Sequence, residues 1–263
     1  MKNRAMDLVL KTKSINMEEP LLLFSEGDHS IHWLGASDVS AFRTNTYLIS
    51  DGDQSIVIDP GNRSFFKDIK KNIKKLGRLS NVQALVICHQ DPDVAASIVD
   101  WLKFKPELEI IASARTNILL PHYGISDYSF YDTGESNNNE YVFKSGRKLK
   151  FIEAPFMHFP GAIASYDEFS SSLFSGDIWA AISMDFHFTV DDFEEHKLKL
   201  DLFHIDYMAS GVASRGFAAK LKNIKIELIL PQHGAIIQKE YVQNAIEYLE
   251  QLKCGLDLIY PGT

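Results

Sequence analysis

Six side chains of metal-binding type stand just beyond apolar segments of the sequence. His89, Asp91 and Asp93 fall in His89-Gln90-Asp91-Pro92-Asp93, and His158 ends Ala154-Pro155-Phe156-Met157-His158. Asp177 closes Ser175-Gly176-Asp177, and His233 lies in Pro231-Gln232-His233-Gly234. Carboxylates mixed with imidazoles suit iron or manganese, whereas an all-imidazole set favours zinc or copper. Each group also has an ordinary reading. A lone loop histidine is seldom a ligand, and Asp91 or Asp93 fits a helix N-cap with Pro92 in the first turn. Four such groups at strand ends carry more weight, because loops at the carboxyl ends of strands in an open α/β sheet converge on one rim.

The elements needed to bring them together are legible. Thr46–Ser50 and Gln54–Ile58 read as two strands around the turn Asp51-Gly52-Asp53. Asp59-Pro60-Gly61 opens a lysine-rich amphipathic helix over Ser64–Leu76. Val82–Cys88 is a continuous apolar run of the kind buried on both faces, and a helical segment follows from Val94 to Phe104. Further strands are expected at Glu109–Ala112, Leu149–Glu153, Ile163–Asp167, Ser172–Phe174 and Ile226–Leu230. Two helices fill Asp191–Lys222 with a break near Ser210-Gly211, and Lys239–Cys254 forms a last helix. The chain is expected to form one α/β domain, residues 1–263, made of two similar halves.

Composition narrows the classes of function. A hydrophobic content of 45% and a charged content of 24% are those of an ordinary globular protein. The net charge is −8 and no basic block occurs, which argues against nucleic acid and anionic membrane as partners. The two cysteines, Cys88 and Cys254, are too few for a disulfide framework and fit a reducing cytoplasm. Met1–Pro20 lacks the apolar core of a secretory leader, and no run approaches a membrane span.

Taken together, Thr46-x-Leu48 to Ile58-Asp59-Pro60-Gly61, His89-x-Asp91-x-Asp93, His158, Ser175-Gly176-Asp177 and Pro231-x-His233-Gly234 resemble the metallo-β-lactamase superfamily, from about Trp33 to Tyr260. Its hydrolases carry a histidine where Asp91 stands. A carboxylate there, with the flanks of His158, resembles the flavodi-iron branch, which reduces dioxygen or nitric oxide. The resemblance implies an αββα sandwich holding two iron ions. It places His89, Asp91 and His158 on one iron and Asp93 and His233 on the other, with Asp177 bridging them.

Two departures shape the expected function. Val94 stands where the family has a histidine, so the second iron is expected to keep an open position lined by a small apolar side chain, where a small molecule binds. The sequence given ends at Thr263 without the flavodoxin-like part that holds FMN in those relatives. Both features resemble the stand-alone oxygen-binding di-iron proteins linked to chemotaxis in anaerobes. The resemblance therefore implies a dioxygen-binding sensor or carrier without FMN, working with a chemotaxis signalling protein, in the cytoplasm, as a homodimer. The alternative is an oxygen or nitric oxide reductase served by an external electron donor. A hydrolase, which needs a metal-activated water, fits Asp91 and Val94 less well.

The remaining candidates carry smaller expectations. Tyr207, on a helix bordering the metal pocket in relatives, is expected to offer a hydrogen bond to dioxygen. His196 and His204, eight apart on a charged helix, read as solvated or half-buried. His32 and His122 are candidates for outer contacts with the site. Cys88 is expected to point away from the metals into the core.

Overall fold

The computed structural model describes residues 16, 18–36, 41–185 and 187–262. Most of the N-terminal stretch read as leader-free, residues 1–15 and 17, lies outside the described residues. The first sheet runs in chain order through β1 (Leu21–Glu26), β2 (His29–Ala36), β3 (Asn45–Asp51), β4 (Gln54–Ile58), β5 (Val82–Val86), β6 (Glu109–Ala112) and β7 (Ser129–Asp132). The second runs through β8 (Glu140–Val142), β9 (Lys148–Glu153), β10 (Ile163–Asp167), β11 (Ser172–Gly176), β12 (Leu228–Pro231) and β13 (Ile237–Gln238). Strands β1 to β4 are antiparallel and β4 to β7 parallel. In the second sheet β11 and β12 form the parallel pair.

Helices α1 (Phe66–Lys75), α2 (Pro92–Ala95), α3 (Ile98–Phe104) and α4 (Ala114–Asn117) belong to the first half. Helices α5 (Phe193–Tyr207), α6 (Gly211–Leu221), α7 (Lys239–Gln251) and α8 (Leu256–Ile259) belong to the second. Strand alternation sorts the second sheet's side chains between two cores. Ile163, Phe174, Leu228 and Leu230 join the core shared with the first sheet and with Ile69, Ile73 and Trp101 of its helices. Ala164, Leu173, Ile229 and Ile237 face the other way, onto Leu200, Phe217 and Leu249 of α5, α6 and α7. The layers are therefore helix, sheet, sheet, helix, the αββα arrangement expected. No described helix is long and apolar enough to cross a membrane.

Several boundaries differ from the sequence reading. The Val82–Cys88 run ends as a strand at Val86; Ile87 N–H still donates to Ile111 of β6, and the Cys88 N–H turns to the Asp59 carboxylate instead. The expected Val94–Phe104 helix is two pieces, α2 and α3, divided at Ala96-Ser97. Its backbone turns there because Ser97 N–H donates to Gly61 and its Oγ–H to Pro60. The hairpin β1–β2 and the short strands β7 and β8 were not anticipated.

Candidate metal centre

Strands β4, β5, β9, β11 and β12 all run toward the same rim, and their following loops carry the six candidate ligands. Asp59, after β4, accepts the backbone N–H of Cys88 at 3.0 Å and so fixes the turn into His89. Asp91 takes the N-cap dihedrals of α2 but makes no side-chain cap bond. Its carboxylate turns to the site instead, with Oδ1 held by Gln90 Nε2 at 2.7 Å. Gln90 is in turn fixed by Tyr123, whose hydroxyl donates to its carbonyl. The loop after β9 presents His158, its backbone N–H resting 3.4 Å from Met208 Sδ at the end of α5.

Asp177 lies at the centre. Its Oδ2 stands 2.9 Å from His158 Nε2 and 3.5 Å from His89 Nε2, while its Oδ1 stands 3.4 Å from His233 Nε2. Asp91 Oδ2 joins the first side at 3.5 Å from His89 and 3.8 Å from His158. Asp93 Oδ2 joins the other at 3.1 Å from His233 Nε2. All six sequence-chosen residues are thus brought together, three around Asp177 Oδ2 and two toward Oδ1. His89, Asp91 and His158 offer donor atoms all within 4.8 Å of one another.

This arrangement fits metal ions. His89 Nε2, His233 Nε2 and Asp177 Oδ1 are buried and hydrogen-bonded to nothing, an expensive state for polar atoms unless a cation takes their lone pairs. The far side of each buried ring is already engaged. His233 donates Nδ1–H to the Arg43 carbonyl at 3.0 Å, and His89 Nδ1 meets Cys88 Sγ at 3.0 Å. Such outer bonds leave Nε2 free for a metal.

Electrostatics agree with the geometry. Burial alone would lower the His89 and His233 imidazoles, yet Asp177 with Asp91 or Asp93 raises both to about 9. Asp177 is held well below the usual carboxylate range, against its burial, by His89, His233 and His158. The centre is built to hold positive charge. Asp59 behaves differently: burial, only partly offset by the Cys88 contacts, pushes it to about 6.

A cavity of about 230 Å³ opens onto the centre, with Asp91, Asp93, His158 and Asp177 in its floor and Phe42, Ile182, Phe203 and Tyr207 in its walls. Phe42 lies flat on the His233 ring, with centroids 3.5 Å apart, and stacks on Phe203. Tyr207 stacks on Phe203 and meets His158 edge-on. The expectation for Val94 is corrected here. Its side chain is fully buried in the first core and does not line the cavity. The apolar wall comes from Phe42, Ile182 and Phe203, whose separation along the chain gave no sequence signal.

Two further readings change. His196 and His204 are buried, not solvated. They share the inner face of α5 with Phe193, Leu200 and Phe203, a spacing of three and four that placed them there in principle. His204 Nε2 accepts the Trp179 N–H at 2.9 Å and Nδ1–H donates to Leu200, so it ties α5 to the loop that carries Asp177. Cys88 is a core residue as expected, but its sulfur backs the His89 ring. His122 is exposed, and its neighbour Tyr123 makes the contact with the site loop.

Comparison with known proteins places this geometry. The structure of the peroxy diiron species of the chemotaxis sensor ODP is 33% identical, covers 92% of this chain and 98% of its own, and superposes with a TM-score of 0.80. The apo state of chemotaxis sensor ODP from T. denticola is 34% identical over 92% of this chain and 97% of its own, with a TM-score of 0.79. The anaerobic nitric oxide reductase flavorubredoxin of Aeromonas salmonicida is 23% identical, covering 84% of this chain and 46% of its own length. The chain spans about half the length of the first curated relatives it matches. A family model described as ODP family beta lactamase matches residues 42–234, and the chain belongs to that family.

Proposed function

We propose that this chain is a non-haem di-iron protein that binds dioxygen and acts as an oxygen sensor in chemotaxis signalling. The observation that carries the reading is the two-sided placement of Asp177, one oxygen toward His89 and His158 and the other toward His233. In this reading His89, Asp91 and His158 would hold one iron and Asp93 and His233 the other, with Asp177 shared between them. The mixed carboxylate and imidazole set favours iron over zinc. The name of the sensor that is 33% identical supports the signalling role.

The iron pair, when bound, supplies the electrons for dioxygen chemistry. The chain's own residues do the rest. Phe42, Ile182 and Phe203 give the cavity an apolar wall that disfavours water, and Tyr207 brings a phenol to its edge. The Arg43 carbonyl keeps the proton of His233 on Nδ1, so that Nε2 faces inward. FMN has no part in this reading. The partners are dioxygen and a signalling protein, in the cytoplasm, with the chain acting as a homodimer.

The second reading is an oxygen or nitric oxide reductase fed by an external electron donor, favoured by the likeness to a nitric oxide reductase flavorubredoxin. Purification without oxygen, metal analysis and optical titration of the reduced protein with dioxygen separates the two. The sensor reading expects two irons per chain and a visible band that fades when dioxygen is removed. Continuous dioxygen consumption with a donor makes the protein a reductase. Two zincs and no optical change overturn the di-iron reading.

A further inference from the structure

Cys88 sits where four parts of the centre meet. Its backbone N–H donates to Asp59 Oδ1 at 3.0 Å and its carbonyl accepts from Ile163 N at 3.0 Å, tying β5 to β10 across the sandwich. Its sulfur lies 3.0 Å from His89 Nδ1. On the other side it presses on Gly176, directly before Asp177. A Cβ at Gly176 would come within 2.7 Å of the sulfur, and the backbone there has φ +56°. A glycine at 176 therefore makes room for a large atom at 88. That room is used behind one ligand of the centre and beside another.

We propose that Cys88 is a positioning residue for His89, its sulfur accepting the imidazole Nδ1–H and so directing Nε2 onto the metal. The inference rests on His89 being a metal ligand, but not on which metal is bound or on dioxygen. The tautomer needs such a device because the inward side competes for the proton. His89 Nε2 lies 3.5 Å from both Asp91 and Asp177, two carboxylates whose negative charge favours a proton on Nε2, where it would block coordination. An acceptor at Nδ1 draws the proton outward. Sulfur is a weak acceptor. His233 has a carbonyl oxygen in the corresponding place, so the two sides of the centre are supported unequally. The side bearing His89 is the one with the softer support.

The test uses the full chain, loaded anaerobically with zinc as a diamagnetic probe, and histidine-resolved nitrogen NMR. The wild type is expected to show His89 protonated at Nδ1 with that proton shielded from exchange, and zinc on Nε2. Cys88→Ala should lose the shielding and bind zinc about tenfold more weakly or worse, the usual scale for losing such an outer contact. Cys88→Ser, which restores an acceptor without the bulk, should recover both. A wild-type His89 that carries no Nδ1 proton overturns the proposal whatever the variants do, as does Cys88→Ala retaining the shielded proton and wild-type affinity. A wild type that binds no metal sinks the metal reading itself, a failure distinct from either.

Discussion

His29, on β2 of the first sheet, places Nε2 3.1 Å from Asp167 Oδ2 at the end of β10 in the second sheet, with both side chains fully buried. Its Nδ1 lies 3.0 Å from Asp51 Oδ1, and Arg147 and Ser145 complete the shell around Asp51. This cluster joins the two sheets at the end of β10, whereas the candidate metal ligands meet at the rim where β9 and β11 end. Burial alone would lower the His29 imidazole, but Asp167 and Asp51 raise it above 6.5. Asp51 is lowered below 3.8, against its burial, by Ser145, His29 and Arg147.

The sign of the pH effect follows. A raised folded value for His29 means its contribution is complete below 6.5 and is lost as pH rises through the folded value. The Asp51 contribution is complete above 3.8 and is lost as pH falls through its lowered value. Stability of the metal-free chain in chemical denaturation should therefore fall on the alkaline side through His29 together with His89 and His233, whose imidazoles are raised to about 9. His29→Leu should make that alkaline slope shallower and cost about 3 kcal/mol or more, since Asp167 stays buried without its cation while Asp51 keeps only Arg147. An unchanged slope in the variant would remove His29 from the account.

Metal content should follow the geometry of Asp177. Asp177→Asn takes charge from both sides of the centre and should lower iron at both positions, whereas His233→Ala should spare the position formed by His89, Asp91 and His158. Anaerobic loading followed by elemental analysis reads the difference. Removing the metal with a chelator should also lower the melting temperature. Saturation at about 100 times the dissociation constant adds about 2.7 kcal/mol. Equal iron loss in the two variants would argue against the two-sided assignment.

The site was more legible than its surroundings. The candidate ligands are polar residues standing abruptly after apolar runs, and that contrast is local in sequence, which is how His89, Asp91, Asp93, His158, Asp177 and His233 were read as candidates. Glu109–Ala112 emerged with its bounds intact because the run Ile110-Ile111-Ala112, closed by Ser113, leaves one reading. The hairpin β1–β2 did not, because its register is broken at Leu22/Phe24, because β2 is irregular against β3 at Trp33/Ala36, and because His29 occupies a core-facing position. The asparagine-rich stretch Glu135–Asn139 lies in the crossing from β7 to β8 between the sheets. His29 itself was passed over. A buried histidine is justified only by Asp51 and Asp167, and the latter lies 138 residues away. The same holds for Phe42, which reaches His233 only once the chain has closed.

His204 makes a second pH-dependent contribution, of opposite sign. Burial, with His158 adding to it, lowers its imidazole to about 4 despite the Leu200 and Asp177 contributions. A lowered folded value means the stability it confers is present above 6.5 and is lost as pH falls from there toward 4. Protonation removes the Nε2 lone pair that accepts the Trp179 N–H, and Trp179 sits at φ 63°, a backbone setting that needs such support. His204→Leu should cost about 1 to 3 kcal/mol for the stranded donor. It should also loosen the Asp177 turn, so iron affinity should fall although His204 touches no candidate ligand position. Loss of stability with unchanged iron affinity would confine it to packing.

Tyr207 offers the most direct check on the cavity as a dioxygen site. Its ring is held by Phe203, with centroids 4.7 Å apart and nearly parallel, and it stands edge-on to His158 at 6.5 Å. The residue is 59% exposed, so its hydroxyl is wet in the free protein and its hydrogen bond to a bound molecule replaces one to water. Such an exchange is worth about 1 kcal/mol, which corresponds to a loss of about fivefold in affinity when it is removed. Tyr207→Phe keeps the stacking and should therefore release dioxygen a few times faster, with iron content unchanged. Phe203→Ala, which removes the wall and the support of Tyr207 together, should have the larger effect and admit water to the cavity. Dioxygen release measured by stopped flow on the reduced, loaded protein distinguishes them. If Tyr207→Phe and Phe203→Ala both release dioxygen at the wild-type rate, the ligand binds elsewhere than in this cavity.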